Sequence, residues 1–272
     1  MKINLDNVTI IIHFRRDIID RYKNLVDVLS YYKMHTTGLS VIIINDDKKP
    51  DAGLKELHDM FGCKILFFNN NGTYHRTKCF NDAANEASTD YVIFGDTDII
   101  IDPKHIKSAT ELFIDPNVGI VFPYNGMFVE ILGSTERSFR ESYDSTILDD
   151  LYIPHIIGHR SDNFSVSHTK SEGGSVMFRL DTFKEIGGYN PNFRGWGYED
   201  NEISNRVKLF GYQIDRVMDK DAIAWHLPHP NTIRNLEPQY SLNRQEYEKV
   251  SKMGKEDIIK YKQSWNNEFR NI

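Results

Sequence analysis

The feature that most constrains this chain is a series of short apolar segments of strand length, alternating with helical patterns through the first half of the sequence. Val8–Phe14 reads VTIIIHF, a continuous apolar run bounded by polar residues, as expected for a strand buried on both faces. Residues 17–33 then carry Ile18, Ile19, Tyr22, Leu25, Val26, Leu29 and Tyr32 at helical spacing. A second buried run over 39–44 stops at Asn45-Asp46-Asp47. A helix pattern over 50–61 ends at Gly62, and a third strand over 64–68 runs into a turn at 69–72. Residues 78–87 read as a helix, and 91–94 as a fourth strand that ends at Asp96. This alternation predicts an α/β domain with a mainly parallel sheet, flanking helices and right-handed crossovers. Such a sheet binds ligands outside the carboxyl ends of its strands.

The second half is less regular. Strands are predicted over 118–123, 172–179 and 213–218, with helices over 181–186 and 199–209. Residues 133–170 are polar with scattered aromatics and no period, which reads as a substrate-covering loop or a small inserted helix. Residues 240–270 look helical and charged, a solvated amphipathic helix packed on the domain, with lysines able to rest on an anionic membrane or polymer. A net charge of -6 gives no support to nucleic-acid binding. Cys63 and Cys79 make neither a disulfide framework nor a zinc cluster and read as small buried side chains. The polar N-terminus runs straight into a strand without a signal-peptide pattern, and no apolar run approaches the roughly twenty residues of a membrane span. The expectation is a soluble, cytoplasmic protein.

Three acidic clusters fall where the predicted sheet presents ligands. Asn45-Asp46-Asp47 follows the second strand, Asp96-Thr97-Asp98 follows the fourth, and Glu199-Asp200 opens a later helix. Carboxylates at i and i+2 of an extended turn can reach one cation, and Mg²⁺ or Mn²⁺ favours oxygen ligands. Acidic turns after strands are also common caps, so a lone Asp-x-Asp carries little. Here the apolar YVIFG before it and the isoleucines after it hold the pair at the ligand-binding edge.

A later segment is more specific. It runs from Gly173-Gly174-Ser175 through Gly187-Gly188-Tyr189 to Gly195-Trp196-Gly197-Tyr198-Glu199-Asp200-Asn201-Glu202, followed by Arg206 and Gly211. Here the sequence resembles the GT-A glycosyltransferases, nearest to family 2, with a C-terminal half similar to the galactosyltransferase GWGxED module. The resemblance runs from Val8 to about His229 and takes in Gly72, Arg76 and Asn81. It implies a single GT-A catalytic domain over 1–272, with a nucleotide-sugar-binding half over 1–125, an acceptor-binding and catalytic half over 126–237, and a helical extension over 238–272.

The same resemblance implies roles. His13, Arg15, Asp46 and Asp47 would cradle the uridine, with Arg76 and Lys78 near the nucleotide or diphosphate. Asp98 would ligate Mn²⁺ or Mg²⁺ directly, while Asp96, beside the metal with Thr97, would contact the ribose or donor sugar. Gly173 and Gly174 would let backbone approach the sugar. Trp196 would be a platform for a sugar face, with Gly195 and Gly197 as hinges of a closing loop. A histidine beyond the Glu-Asp helix would complete the metal set, with His226 the better match and His229 the fallback. The implied activity is metal-dependent transfer of a hexose from a UDP-sugar to a glycan or other hydroxyl acceptor. Asp200 would act as general base and Glu199 would orient the acceptor. Aspartate at the second position of the pair favours inversion, since related retaining enzymes carry asparagine there.

Other readings compete. A sugar-phosphate nucleotidyltransferase needs a glycine-rich loop after the first strand, where this chain has His13-Phe14-Arg15-Arg16-Asp17. A non-catalytic glycan- or nucleotide-binding module would need no base at Asp200. Residue by residue, Trp196 could plug the core, Asp46 or Asp47 could cap a helix, Arg15 and Arg16 could be solvated, and His226 could be structural. Glu202 and Arg206, four apart on one helix face, are expected to pair with each other.

Overall fold

The computed structural model describes residues 1–230 and 237–265. The apolar runs become the centre of a seven-stranded sheet in the order Gln213–Arg216, Val118–Phe122, Ser175–Arg179, Tyr91–Gly95, Val8–Phe14, Ser40–Asp47 and Lys64–Asn69. Every neighbouring pair is parallel except those made by Ser175–Arg179, which is antiparallel to both its neighbours. Val8–Phe14 lies in the middle, with Ile10 opposite Val41 on one side and Ile93 on the other. Its aliphatic side chains are buried on both faces, which is why the run shows no alternation. The carboxyl ends of the parallel strands therefore bring His13, Asp46 and Asp96 to one edge.

Helices cover the sheet close to where the periodicity put them, as Ile19–His35, Gly53–Phe61 and Arg76–Ala84. The third begins two residues before the predicted start, so Arg76 stands at a helix N-terminus. Gly62 ends the second with a left-handed φ of 70°. Cys63 and Cys79 are buried and unbridged.

The second half contains a four-stranded sheet that the pattern did not predict: Phe164–His168, Phe128–Ile131, Ala224–His226 and Ile99–Ile100. Its strands are too short to show a period. The sheet matters because Ile99 pairs with His226 directly after the acidic turn. The stretch 133–170, expected to be irregular, holds the helix Gly133–Ser142, a single turn at Thr146–Asp149 and that outer strand.

The expected C-terminal helix is two helices, Gln239–Val250 and Lys255–Lys262, parted near Gly254 and followed by a 3₁₀ turn at Gln263–Trp265. The part of the prediction over 266–270 lies outside the described residues. This extension is anchored as well as solvated, since Asn243, Val250, Ile258 and Trp265 are buried. Arg206 and Glu202 form the predicted pair in bidentate geometry, at 2.7 and 2.8 Å, with both side chains buried. The same guanidinium caps the carbonyls of Ile186 and Gly188 and lies 4.8 Å from the Trp265 ring centroid. The Gly187-Gly188 turn, the Glu-Asp helix and the extension thus share one buried cation. Among the described residues no helix is long and apolar enough to cross a membrane.

Candidate active site

Asp98 sits where the main sheet hands over to the small one. Its carbonyl accepts from Leu227 N–H at 2.8 Å, which fixes the acidic turn against the segment carrying both candidate histidines. Asp98 Oδ2 is 3.1 Å from His229 Nε2, and Oδ1 is 3.9 Å from His226 Nε2. Ligand atoms of all three residues lie within 4.8 Å of one another. Both histidines converge on Asp98, so the geometry offers His226 and His229 together rather than one of them. Glu130, on the small sheet, approaches His226 Nδ1 at 3.5 Å, where a carboxylate would orient the imidazole with its other nitrogen toward Asp98. Burial works against the Asp98 charge, but His229, His226 and Arg21 outweigh it and hold the carboxyl below its usual range. One carboxylate and two imidazoles suit a divalent cation such as Mn²⁺, and three protein ligands leave coordination positions for a substrate. The donor set fits the expected metal.

Asp96 points the other way. Its Oδ1 is 3.2 Å from Arg76 Nη2, and Arg76 Nη1 is 3.5 Å from Glu199 Oε1. Arg76 therefore ties the Asp-x-Asp turn to the Glu-Asp helix, a role the sequence did not reveal. Burial opposes its charge, yet Asp96, Asp200 and Glu199 hold its pKa above the ordinary arginine value. Among the described residues, Arg76 Nε and Thr97 Oγ1 are buried without hydrogen-bond partners, donors left open where a polar ligand would be met.

Asp200 lies against Gly173. A Cβ on that glycine would stand 2.9 Å from Asp200 Oδ2, and one on Gly174, at φ 80°, would stand 2.7 Å from Phe128 Cε2. The glycine pair makes room for protein groups, the Asp200 carboxylate among them. Burial, opposed by Arg76 and reinforced by Glu199, Asp96 and Glu172, pushes the Asp200 carboxyl up to about 7. A carboxylate poised there can take a proton at neutral pH. Glu199, also raised by burial, accepts Gly197 N–H at 2.8 Å.

At the far end of the edge, Asp46 is wholly buried, with His13 Nε2 at 2.9 Å, Asn70 Nδ2 at 2.7 Å and His75 N–H at 2.6 Å. Burial would raise its pKa, but these bonds bring it below the usual carboxylate range. Asp46 is thereby engaged in orienting His13 and the 70–75 turn. Asp47 is half-buried and accepts from Lys48 N–H. Arg15 spans that turn, donating to Gly72 O at 2.8 Å and Asn70 O at 3.0 Å. Lys78 pairs with Asp82 one helical turn on.

Trp196 is 43% exposed, which removes the core-plug reading. Its ring stacks on Tyr240 at 5.9 Å and 13°. Gly195 and Gly197 have φ of 66° and 114°, and Tyr198 has φ 71°, a left-handed conformation rare for an aromatic residue. The loop thus carries backbone strain beside the acid pair. Arg21 beside Asp98, Glu130 beside His226 and Asn243 against the 194–198 loop carry no signal in the sequence, because each lies on a helix or short strand without a motif.

Comparison with known proteins identifies the family and the fold. A family model described as glycosyl transferase family 2 matches residues 10–173, and one described as the N-terminal domain of galactosyltransferase matches residues 157–230. Beta-1,4-galactosyltransferase 4 of Mus musculus is 30% identical over 61 residues, covering 22% of this chain and 18% of that protein. Beta-1,4-galactosyltransferase 5 of Danio rerio is 26% identical over 125 residues, covering 39% of this chain and 32% of that protein. The match thus spans less than a third of either relative. Among solved structures, the mannosyltransferase PcManGT from Pyrobaculum calidifontis, in complex with GDP-Man and Mn²⁺, superposes with a TM-score of 0.51 at 15% identity, over 89% of this chain and 61% of that one. S. aureus TarS 1-349 in complex with UDP-GlcNAc gives 0.55 at 11%, over 97% and 71%. These likenesses show the GT-A fold. With the family match extending over more than half of its length, the chain belongs to glycosyl transferase family 2, with a galactosyltransferase-type module in its second half.

Proposed function

We propose that the chain is a metal-dependent, inverting glycosyltransferase that moves a hexose from a UDP-sugar to a hydroxyl of a glycan or glycoconjugate, with Asp200 as general base. The observation that carries this reading is the convergence of Asp98, His226 and His229 on one point at the ligand-binding edge of the sheet. A divalent cation held there would neutralise the leaving diphosphate as a Lewis acid. Asp96 and Arg76 stand beside it to take polar groups of the donor, and Thr97 adds an unpaired hydroxyl. His13, Arg15, Asp47 and the turn ordered by Asp46 would receive the uridine. Asp200, poised near neutrality, accepts the acceptor hydroxyl proton as the oxygen attacks the anomeric carbon, and Glu199 orients that acceptor sugar. Attack on the face opposite the diphosphate converts an α-linked donor into a β-linked product. Donor complexes of the fold neighbours contain GDP-Man with Mn²⁺ and UDP-GlcNAc, which supports a nucleotide sugar and leaves UDP as our choice.

The test is Asp200→Asn assayed with a panel of UDP-sugars in Mn²⁺. Retained UDP binding with transfer lost supports the base; transfer at the wild-type rate refutes it. The binding-module reading predicts binding without turnover in both proteins.

A further inference from the structure

We propose that Asn243, on the C-terminal helix Gln239–Val250, is a positioning residue that locks the 194–198 loop and so sets recognition of the acceptor; this rests on the glycosyltransferase reading above. Asn243 has no exposed surface. Its Nδ2 lies 2.8 Å from Arg194 O, 3.2 Å from Gly197 O and 3.3 Å from Trp196 O. Its Oδ1 accepts Arg194 N–H at 3.2 Å and Gln239 Nε2 at 3.1 Å. Two amide hydrogens are divided among three carbonyls, an arrangement no aliphatic side chain can replace.

The loop requires such a partner. Gly195, Gly197 and Tyr198 all adopt left-handed φ, so the backbone between them belongs to no helix or strand that could satisfy it. The helix also supplies the ring faces that hold the loop. Tyr240 stacks on Trp196, and a Cβ on Gly197 would meet its ring at 3.0 Å. Tyr198 contacts Tyr240 at 5.4 Å and stacks on Tyr247 at 5.3 Å. Held in this way, the loop aims Gly197 N–H at Glu199 Oε2 and fixes the half-exposed Trp196 three residues ahead of the acid pair. Asn243, Tyr240 and Tyr247 hold the loop from the acceptor side, while Gly195 N–H donates to Tyr74 O at 2.9 Å and keeps the loop's other flank on the 70–75 turn.

The experiment compares Asn243→Ala and Tyr240→Ala with the wild-type chain. Trp225 and Trp265 are 5% and 4% exposed, so acrylamide quenching of tryptophan fluorescence reads mainly Trp196. Quenching is expected to rise in both variants, and the rise to vanish in a Trp196→Phe background. With UDP-galactose or UDP-N-acetylglucosamine as donor and N-acetylglucosamine oligomers as acceptor probes, kcat/KM for the acceptor is expected to fall about tenfold or more. UDP affinity in Mn²⁺ is expected to fall by much less, since Asn243 itself makes no bond to the 70–75 turn that Gly195 rests on. Unchanged quenching in both variants overturns the proposal, as does UDP affinity that falls in step with acceptor kcat/KM. If the wild-type chain transfers to none of these probes, the glycosyltransferase reading loses support while the quenching comparison still decides whether Asn243 holds the loop. Because Tyr240 is only half-buried, its variant keeps the test open if Asn243→Ala does not fold.

Discussion

Replacing Arg76 by glutamine tests the electrostatic logic of the site. Arg76 is the cation bracketed by Asp96, Glu199 and Asp200, and its charge is what opposes burial in setting the Asp200 carboxyl near 7. An adjacent arginine lowers a carboxyl pKa by about 1–3 units, so its removal should lift Asp200 by about 1–2. The base must be ionised to accept a proton. At pH 7 the ionised fraction would therefore drop from about a half to between about 1 and 10%, a loss of roughly five- to fiftyfold in rate from ionisation alone. The assay is the pH dependence of kcat/KM for sugar transfer from pH 5.5 to about 9.5, where the acid limb reports the base. Arg76→Gln should move that limb to higher pH and recover much of its rate in alkali, while Arg76→Lys should move it less. A lowered rate with the acid limb unmoved would refute the assignment of that limb to Asp200.

Asp200→Asn should also change stability. Because the folded carboxyl is raised above its unfolded value, ionisation of the wild-type chain costs stability that accumulates as pH rises from about 4 to 7 and then levels off. The asparagine variant should gain unfolding free energy relative to the wild-type chain over that window, by at most about 4 kcal/mol in urea unfolding, and a gain confined to acid pH would contradict the shift. Glu130→Gln should weaken Mn²⁺ binding about 10- to 100-fold by releasing the His226 ring, read by calorimetry; unchanged affinity would remove Glu130 from the site. Glu202→Ala leaves the Arg206 guanidinium buried without its carboxylate and should cost about 3–5 kcal/mol in urea unfolding.

Much of the fold was legible because strands buried on both faces must be written as unbroken apolar runs, and VTIIIHF and YVIFG are such runs. Glycines were legible for the same kind of reason, since Gly174, Gly195 and Gly197 occupy left-handed φ at crowded points. The small sheet was not, because Ile99–Ile100 and Ala224–His226 are too short to carry a period. That gap hid the pairing that places His226 and His229 together beside Asp98. The resemblance puts Arg76 near the nucleotide or diphosphate, and its distances add a tie between Asp96 and Glu199. That long-range convergence leaves no local mark. The C-terminal extension was read by its charged face. Asn243, a single polar residue on the other face, closes the loop.

The central claim is that Asp98, His226 and His229 hold a divalent cation which in turn holds the nucleotide diphosphate. Calorimetric titration of UDP into the wild-type chain and Asp98→Asn, each in Mn²⁺ and in EDTA, tests it most directly. UDP binding to the wild-type chain in Mn²⁺ is expected to weaken at least about tenfold on chelation or on loss of Asp98. UDP affinity indifferent to both would contradict it.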